Sequence, residues 1–381
     1  NFLKSGLVPK KEKPALKKYS KERRLDIARN KRTFYRALAS DLDEQNLYMQ
    51  GATVSKNKVE ISINQNTHTS YVRATGRAAS IVSNISPPRI ETIVVSHLNP
   101  NNTEISRVSL KRKEFDKALN SKSSPAELLH SSKLSAPDPK EFHFTSAEFK
   151  PKVKMPDISW KMGPALKSQL GGPEAFFLGQ AWWKIDTVVL IRRGLTLNTS
   201  IGLDIYNNFN EFSNPSDSSL PHVRSDIQSY LKEGQNNIGR FKLDYIWSPY
   251  KELYTRIDVG LIEDMFGGIG GEILYKPFDK DTAVGLVVHR VRQREFKQLF
   301  GFRDYETTTG HFEFFHTFKN DVSLQALLGK YLAGDKGLTI DLSRRFNTGF
   351  RLGIFVTKTN VSSEEFGEGS FDKGFYFQIP T

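Results

Sequence analysis

The sequence predicts a mainly β protein, in which an antiparallel transmembrane β-barrel of about 12–14 strands follows a small α+β domain. Two observations predict the barrel. After Asp157, apolar and polar residues alternate in segment after segment, most of them about ten residues long. The connections between these segments alternate between tight turns and longer loops. Strands that cross a bilayer at a tilt need roughly 9–11 residues, and outer-membrane barrels pair short turns with longer loops.

Charge divides the chain into two parts of different character. Residues 1–150 hold 27 basic and 15 acidic side chains, and residues 151–381 hold the remaining 28 and 27 of the chain's 55 and 42. Such a shift in charge balance is typical of a boundary between domains. We therefore expect a flexible basic lead over 1–20, a small α+β domain over 21–119, a proline-rich connector over 120–157 and an outer-membrane barrel region over 158–381.

The small domain is predicted from helical spacing and short β-runs. Apolar residues recur near helical spacing from Lys21 to Leu47 and again from Tyr71 to Ile85, where Pro87-Pro88 ends the second helix. The connector holds five prolines among Ser and Lys, so it is expected to run extended. The predicted β-runs of the small domain lie at 49–54, 58–63, 90–98 and 104–111, with turns at 55–57 and 99–102.

The barrel strands are predicted from period-two patterns. In Leu253–Leu261, for example, Ile257 and Val259 oppose Arg256 and Asp258. Because neighbouring side chains on a strand point to opposite faces, each set lies on one face. In a membrane barrel the apolar face would lie in lipid and the charged face inside. Aromatic side chains at strand ends, as in an interfacial girdle, are Tyr245, Trp247 and Tyr250.

The connection between two predicted strands near residues 290–305 combines cations with aromatic rings. Aromatic faces stack on sugar rings, and guanidinium groups bind the carboxylates of acidic polysaccharides. Two interpretations stay open, contact with a glycan and folding into the barrel mouth as a plug. The candidate glycan-contact residues are Arg290, Arg292, Arg294, Phe296, Lys297, Phe300, Phe302, Arg303 and Tyr305.

Charged residues on the second face of the strands form another candidate set. Inside a barrel they could line a wet path for a polymer, or they could pair across strands and fill the lumen. The mixture of both signs favours pairing. The lumen-facing candidates are Asp204, Lys242, Asp244, Arg256, Asp258, Glu272, Asp341 and Arg351.

The sequence does not predict an enzyme. It contains no cysteine, which excludes disulfides, thiolate zinc ligands and a cysteine nucleophile. The glycine cluster 267–271 lacks the Gly-Lys-Ser/Thr ending of a phosphate-binding loop. We therefore expect no catalytic residues, metal or cofactor. Two alternatives remain, a soluble carbohydrate-binding or hydrolysing β-sandwich with Leu197, Leu243, Ile257 and Leu352 in a dry core, and a basic adaptor whose arm (10–36) binds nucleic acid. The arm lacks interleaved aromatics, so nucleic acid is not the expected partner.

Several stretches of the chain are long and specific. They are Gly171–Pro173, Leu220–Asp226, Gly267–Glu272, Leu274–Phe278, Phe300–Glu306, Gly329–Gly337 and Glu364–Gly374. These stretches resemble the YjbH/GfcD-type outer-membrane proteins of exopolysaccharide and group 4 capsule loci. The similarity covers roughly the C-terminal 230 residues, and more weakly the small domain.

This resemblance implies a non-enzymatic β-barrel of the bacterial outer membrane that exports or assembles a surface polysaccharide. It implies a periplasmic N-terminal domain that docks partners. The implied partners are outer-membrane lipid, the polysaccharide, and other secretion proteins or lipoproteins of the periplasm. Members of the family are longer than this chain, so further barrel strands from another part of the same polypeptide are also expected.

Overall fold

The computed structural model describes residues 15–65, 68, 70–99, 103–141, 146–152, 155–170, 177–211, 220–346, 348–362, 365 and 371–379. They belong to two compact units, a small one within 9–154 and a large one that takes in most of 155–381. Some of the predicted features lie outside the described residues: most of the basic lead, the hairpin tip at 100–102, the stretch Gly171–Pro173, and much of the last loop and of Glu364–Gly374.

The small unit is an α+β fold around a five-stranded sheet. The strands lie in the order β1-β2-β3-β4-β5, with β2 and β3 parallel and the other pairs antiparallel. A parallel pair needs a crossover, which α3 supplies. The elements are α1 (Lys21–Arg29), α2 (Lys31–Asp43), β1 (Leu47–Val54), β2 (Lys58–Gln65), α3 (Tyr71–Ile85), β3 (Thr92–Leu98), β4 (Glu104–Lys111), α4 (Arg112–Leu119), α5 (Pro125–Ser131) and β5 (Lys133–Ser135).

Apolar side chains form the core of the small unit. Leu38 and Leu42 of α2 and Val82 of α3 are fully buried against Ile61 of β2 and Val95 of β3. The predicted helix 21–47 is in fact two helices. Asn30 leaves the helical conformation, with φ −119°, and its side chain caps α2 by accepting bonds from the backbone of Arg32 and Thr33.

The predicted extended connector is wrong over 125–135, where α5 and β5 form. Ser124 accepts a bond from the backbone N–H of Glu127, and the Glu127 carboxylate accepts one from the backbone of Ser124. This capping box favours a helix start, and Pro125 fits the first turn because its missing N–H would have no partner there. Proline therefore begins a helix here instead of preventing one.

The large unit is a twelve-stranded antiparallel sheet in which strand order follows chain order. The count agrees with the prediction. Among the described residues, no hydrogen-bonded pairing joins the last strand to the first. The elements are β6 (Asp157–Leu170), β7 (Phe177–Arg192), β8 (Leu195–Asn207), α6 (Ile227–Glu233), β9 (Asn237–Tyr250), β10 (Leu253–Leu261), β11 (Phe266–Tyr275), β12 (Thr282–Arg294), β13 (Phe302–Thr317), β14 (Val322–Lys330), β15 (Lys336–Arg345), β16 (Arg351–Thr359) and β17 (Asp372–Gln378).

The two faces of this sheet differ in polarity and in exposure. One face, here called the apolar face, carries Ile257, Val259 and Ile354, which are 47%, 45% and 57% exposed. The other, the polar face, carries Asp258, which is 1% exposed. Separately, no helix in the described part of the chain is long and apolar enough to cross a membrane.

Candidate functional site

The polar face of the sheet holds all eight of the predicted inward-facing charges. At its centre, Asp258 of β10 pairs with His289 of β12, with 3.2 Å between a carboxylate oxygen and Nε2. The two strands are not neighbours, and Gly270 of β11 lies between them in register. A Cβ on Gly270 would fall 1.9 Å from the His289 ring, so only glycine lets the imidazole lie across β11 to reach the carboxylate.

Two further ion pairs extend this cluster along the polar face. Arg256 lies 3.4 Å from Asp258 and 3.0 Å from Glu272 on the next strand. On β9, Lys242 and Asp244 pair at 2.8 Å, and their side chains are about nine-tenths buried. Each cation therefore lies beside a carboxylate, and this part of the polar face is a network of opposite charges.

The remaining three predicted residues also have polar partners on this face. Asp204 accepts a bond from Gln180 at 2.7 Å, Asp341 accepts one from Tyr376 at 3.0 Å, and Arg351 donates to Ser343 at 2.8 Å. Lys167 of β6 approaches Asp264, in the β10–β11 connection, to 3.3 Å. These elements are four strands apart in the sheet, so the sheet curls toward its polar face.

The nine candidates between 290 and 305 do not form one surface. Arg290 and Arg292 project from the apolar face, because Arg290 is in register with Ile269 and Thr308. Both are ion-paired on β13: Arg290 with Glu306 at 2.9 Å and Arg292 with Asp304 at 3.5 Å. They lie at the end of β12, beyond the exposed Leu286 and Val288 of the same face.

Arg294 is completely buried and joins two connections to the start of β9. Its guanidinium donates to the backbone carbonyls of Glu263 at 2.7 Å, Ile238 at 2.8 Å and Gln298 at 2.5 Å. Arg290, Arg292 and Arg294 would share a face on a regular strand, but the register of β12 against β13 shifts between Arg292 and Arg294. The irregularity turns Arg294 away from Arg290 and Arg292. Its two terminal nitrogens donate within the protein, while its buried Nε has no hydrogen-bond partner among the described residues.

Arg303, Phe296 and Tyr305 are half-buried and belong to the same arrangement. Arg303 lies 4.2 Å from the centre of the Phe296 ring and donates to Asp226 at 2.9 Å. Tyr305 donates to the Leu332 carbonyl at 2.6 Å. A guanidinium held between a ring and a carboxylate is fixed in place, so these residues position the loop.

Phe300 and Phe302 remain exposed at the end of the loop, and Lys297 is exposed as well. Phe300 makes an edge contact with Phe241, whose side chain is exposed. Among the nine candidates, the loop thus has an internally bonded set of Arg294, Phe296, Arg303 and Tyr305, and an exposed set of Lys297 and the two rings.

Sequence reasoning missed the residues that complete this loop cluster. Tyr230 of α6 donates to the Arg294 carbonyl at 2.6 Å, and Gln298 donates to the Tyr230 carbonyl at 2.9 Å. Met265, Phe266 and Val291 pack with the Tyr230 ring. In the sequence, the stretch Leu220–Asp226 stands out only by its resemblance to a family, and no periodic pattern indicates that it meets a loop about 70 residues away.

The chain is similar to a known protein family. The family YjbH, described as "Exopolysaccharide biosynthesis protein YbjH", matches residues 1–381. The protein named "Uncharacterized lipoprotein YjbH" of Escherichia coli (strain K12) is 36% identical over 233 residues, which are 58% of this chain and 33% of that protein. The chain thus spans about a third of the length of this relative.

Solved structures also align with part of the chain. One of them is a loop L8 deletion mutant of OmpT, an outer membrane protein of Vibrio cholerae. The alignment covers 59% of this chain and 100% of that structure, at 6% identity and a TM-score of 0.25. At that score the alignment does not establish a shared fold.

Proposed function

Because the chain belongs to the YjbH family of exopolysaccharide biosynthesis proteins, we propose that it forms part of an outer-membrane β-barrel for polysaccharide export or assembly. In this proposal the role is non-enzymatic. The twelve-stranded sheet is the membrane wall, and the small unit lies in the periplasm, where it docks other secretion proteins or lipoproteins.

The observation that carries the proposal is the polarity of the sheet. Asp258 is buried, whereas Ile257 and Val259 on either side of it are about half exposed. In water this arrangement is unfavourable, because exposed apolar area is not removed from the solvent. In a bilayer the apolar face contacts lipid and the backbone groups pair between strands, as a membrane barrel requires.

The same observation disfavours the soluble sandwich. That alternative requires Leu197, Leu243, Ile257 and Leu352 in a dry core. Ile257 and Leu352 are exposed to about half of their area, and Leu197 and Leu243 are only half-buried. The expected dry core is therefore not formed by these residues.

We further propose that the barrel is completed by strands outside this chain. The sheet ends in the edge strands β6 and β17, and the Escherichia coli relative is about three times as long as the matched part. Edge strands carry unpaired N–H and C=O groups, which have no partners in a bilayer. Strands from elsewhere in the same polypeptide would satisfy both edges.

The polar face then lines the lumen. Its charges are paired, as in Arg256 with Glu272 and Lys242 with Asp244, so we propose that most of them brace the wall. A surface polysaccharide would contact hydroxyl and amide groups between these pairs. The exposed rings of Phe300 and Phe302 offer a sugar-stacking surface at the loop end.

Membrane fractionation of the full polypeptide that contains this chain tests the proposal. We expect it in the outer-membrane pellet after a high-salt and carbonate wash, with a gel mobility that shifts on boiling. The shift indicates a folded, detergent-resistant barrel. Recovery of the intact protein in the soluble fraction, with no mobility shift, would overturn the proposal.

A further inference from the structure

Lysines form a row on the apolar face at the loop end of the last four strands. The row consists of Lys330 of β14, Lys336 of β15, Lys358 of β16 and Lys373 of β17. Cross-strand register places all four on the same face, since Lys330 pairs with Lys336, Lys358 with Leu338, and Lys373 with Val356.

Each of these lysines borders the exposed apolar band. Two residues further toward the strand centre, on the same face, lie Leu328, Leu338, Val356 and Phe375, all exposed. In β14, β15 and β16 the exposed apolar side chains of the strand end at the lysine, whereas beyond Lys373 the exposed ring of Phe371 has its centre 4.4 Å from the ammonium nitrogen. Arg290 of β12 lies next to Val288 in the same way, although it is ion-paired with Glu306.

Three of the four charges of the row have no ion-pair partner within the described residues. There, no carboxylate lies within 4.0 Å of the ammonium groups of Lys330, Lys336 or Lys358. Lys330 and Lys336 are also directly opposite each other, and like charges in that position destabilise a strand pair. An anion bound between the two side chains would remove this repulsion.

The row also has the slope of a membrane boundary. Lys373 on β17 is six residues further along the strand than the position that cross-strand register places level with Arg290 on β12. The two strands are five strand spacings apart. With roughly 3.3 Å of rise per residue and 4.8 Å between strands, this is an angle of about 40° to the perpendicular of the strands. Strands of outer-membrane barrels tilt by about 35–45°, so the row would lie level in the membrane plane.

We propose that this row binds the phosphate groups of anionic lipids in the leaflet at the loop end of the barrel. The inference rests on the proposed function, because it requires the apolar face to be in lipid. In this site the ammonium groups bind a lipid phosphate that lies between them, and the acyl chains of the same lipid contact Leu328 and Leu338. It adds to that function a specific lipid head group and the leaflet in which it lies.

The test is binding of a fluorescent bis-phosphorylated disaccharide lipid to the full polypeptide in neutral detergent micelles. A basic residue near an anionic surface contributes about 1 kcal/mol, or roughly fivefold in affinity, so the double variant K330Q/K336Q should bind the lipid at least about tenfold more weakly. The matched control is Arg344→Gln, which removes a cation from the same face at the other end of β15 and should leave binding unchanged.

Three outcomes would overturn the inference. These are equal binding by the double variant and the wild type, an equal loss in Arg344→Gln, and full displacement of the lipid by inorganic phosphate at matched ionic strength, which would indicate a free-phosphate site. Heat-shifted gel mobility, measured on the same samples, tests the proposed function separately. A shifted band without lysine-dependent binding refutes only the lipid site, whereas an unshifted band refutes both.

Discussion

The small unit and the large unit distribute polar and apolar residues in opposite ways. In the small unit, Leu38 and Ile61 are fully buried. In the large unit, Ile257 is half exposed while Asp258 beside it is buried. Both regions use the same period-two and helical patterns, so the patterns give the faces of an element but not which face meets solvent. The two units are built for different surroundings, one for water and the other, in our proposal, for lipid.

The largest effect is expected in the core of the small unit. Leu38→Ala removes fully buried methyl groups and leaves a cavity, which should lower the free energy of unfolding of this unit by about 4 kcal/mol. Hydrogen exchange of the α2 and β2 amides in the full chain measures it. Leu119→Ala, at an exposed position, should change little. Equal protection of these amides from exchange in both variants would contradict a stabilising apolar core around Leu38.

A charge on the apolar face gives the sharpest contrast between the two units. Ile354→Arg should lower the stability of the folded state in bilayers by about 3 kcal/mol, because a cation near the midplane is costly. Leu119 of the small unit has the same exposed fraction, 57%. Leu119→Arg should therefore be nearly neutral. Urea titration of heat-shifted gel mobility in vesicles measures Ile354→Arg. A neutral Ile354→Arg would mean that this face meets water.

The small unit buries a histidine, His97, within its sheet. His97 of β3 is 1% exposed, and its Nε2 lies 2.7 Å from the Thr75 hydroxyl. Burial lowers the pKa of His97 to about 4, from about 6.5 in the unfolded chain. The unfolded chain therefore takes up the proton first. The small unit should keep its full stability above pH 6.5 and lose up to about 3 kcal/mol as the pH falls toward 4.

Hydrogen exchange of the β3 amides at pH 4.5 and 7.5, corrected for intrinsic exchange, measures this loss. His97→Asn should remove most of the pH dependence while lowering stability at both pH values. His130→Gln, at an exposed histidine of α5, is the control and should keep it. An unchanged slope in His97→Asn would show that another group carries the effect.

A smaller effect is expected at the buried Asp258 of the large unit, which is the charged partner of the half-buried His289. Asp258→Asn keeps the shape of the side chain but removes the charge beside His289 and Arg256, so we expect a loss of about 1–2 kcal/mol. Urea titration of heat-shifted gel mobility in vesicles measures it. Thr308→Val, on the other face, should be nearly neutral. A gain in stability in Asp258→Asn would mean that the charge cluster is retained for the lumen and not for stability.

Much of the sheet could be predicted from the sequence because strand patterns are local. The predicted Leu253–Leu261 is β10 with the same bounds, and the side-chain alternation places Asp258 and Ile257 on opposite faces as expected. Non-local features could not be predicted in this way. The irregularity beside Arg294 and the contact between Tyr230 and Arg294 depend on loops that meet only after the strands have formed.

In the small unit, the wrong predictions of a single helix and of an extended connector have a local cause. Asn30 falls inside a helical pattern of the sequence and Pro125 inside the predicted connector, but each acts through capping geometry. A capping side chain can end one helix and begin the next within a single periodic run. The box of Ser124 and Glu127 was visible in the sequence, and it outweighs the general tendency of proline to interrupt helices.

The simple strand order of the large sheet has a consequence for how it folds. Every adjacent pair, from β6 to β17, is also consecutive in the chain, so the sheet can grow by adding hairpins. Local pairings form quickly because little loop entropy is lost. Closure of the barrel is different, because β6 and β17 are separated by more than 200 residues. In our proposal, strands from elsewhere in the polypeptide must also pair with both of them. We expect closure to be the slow step, during which both open edges need protection from other chains.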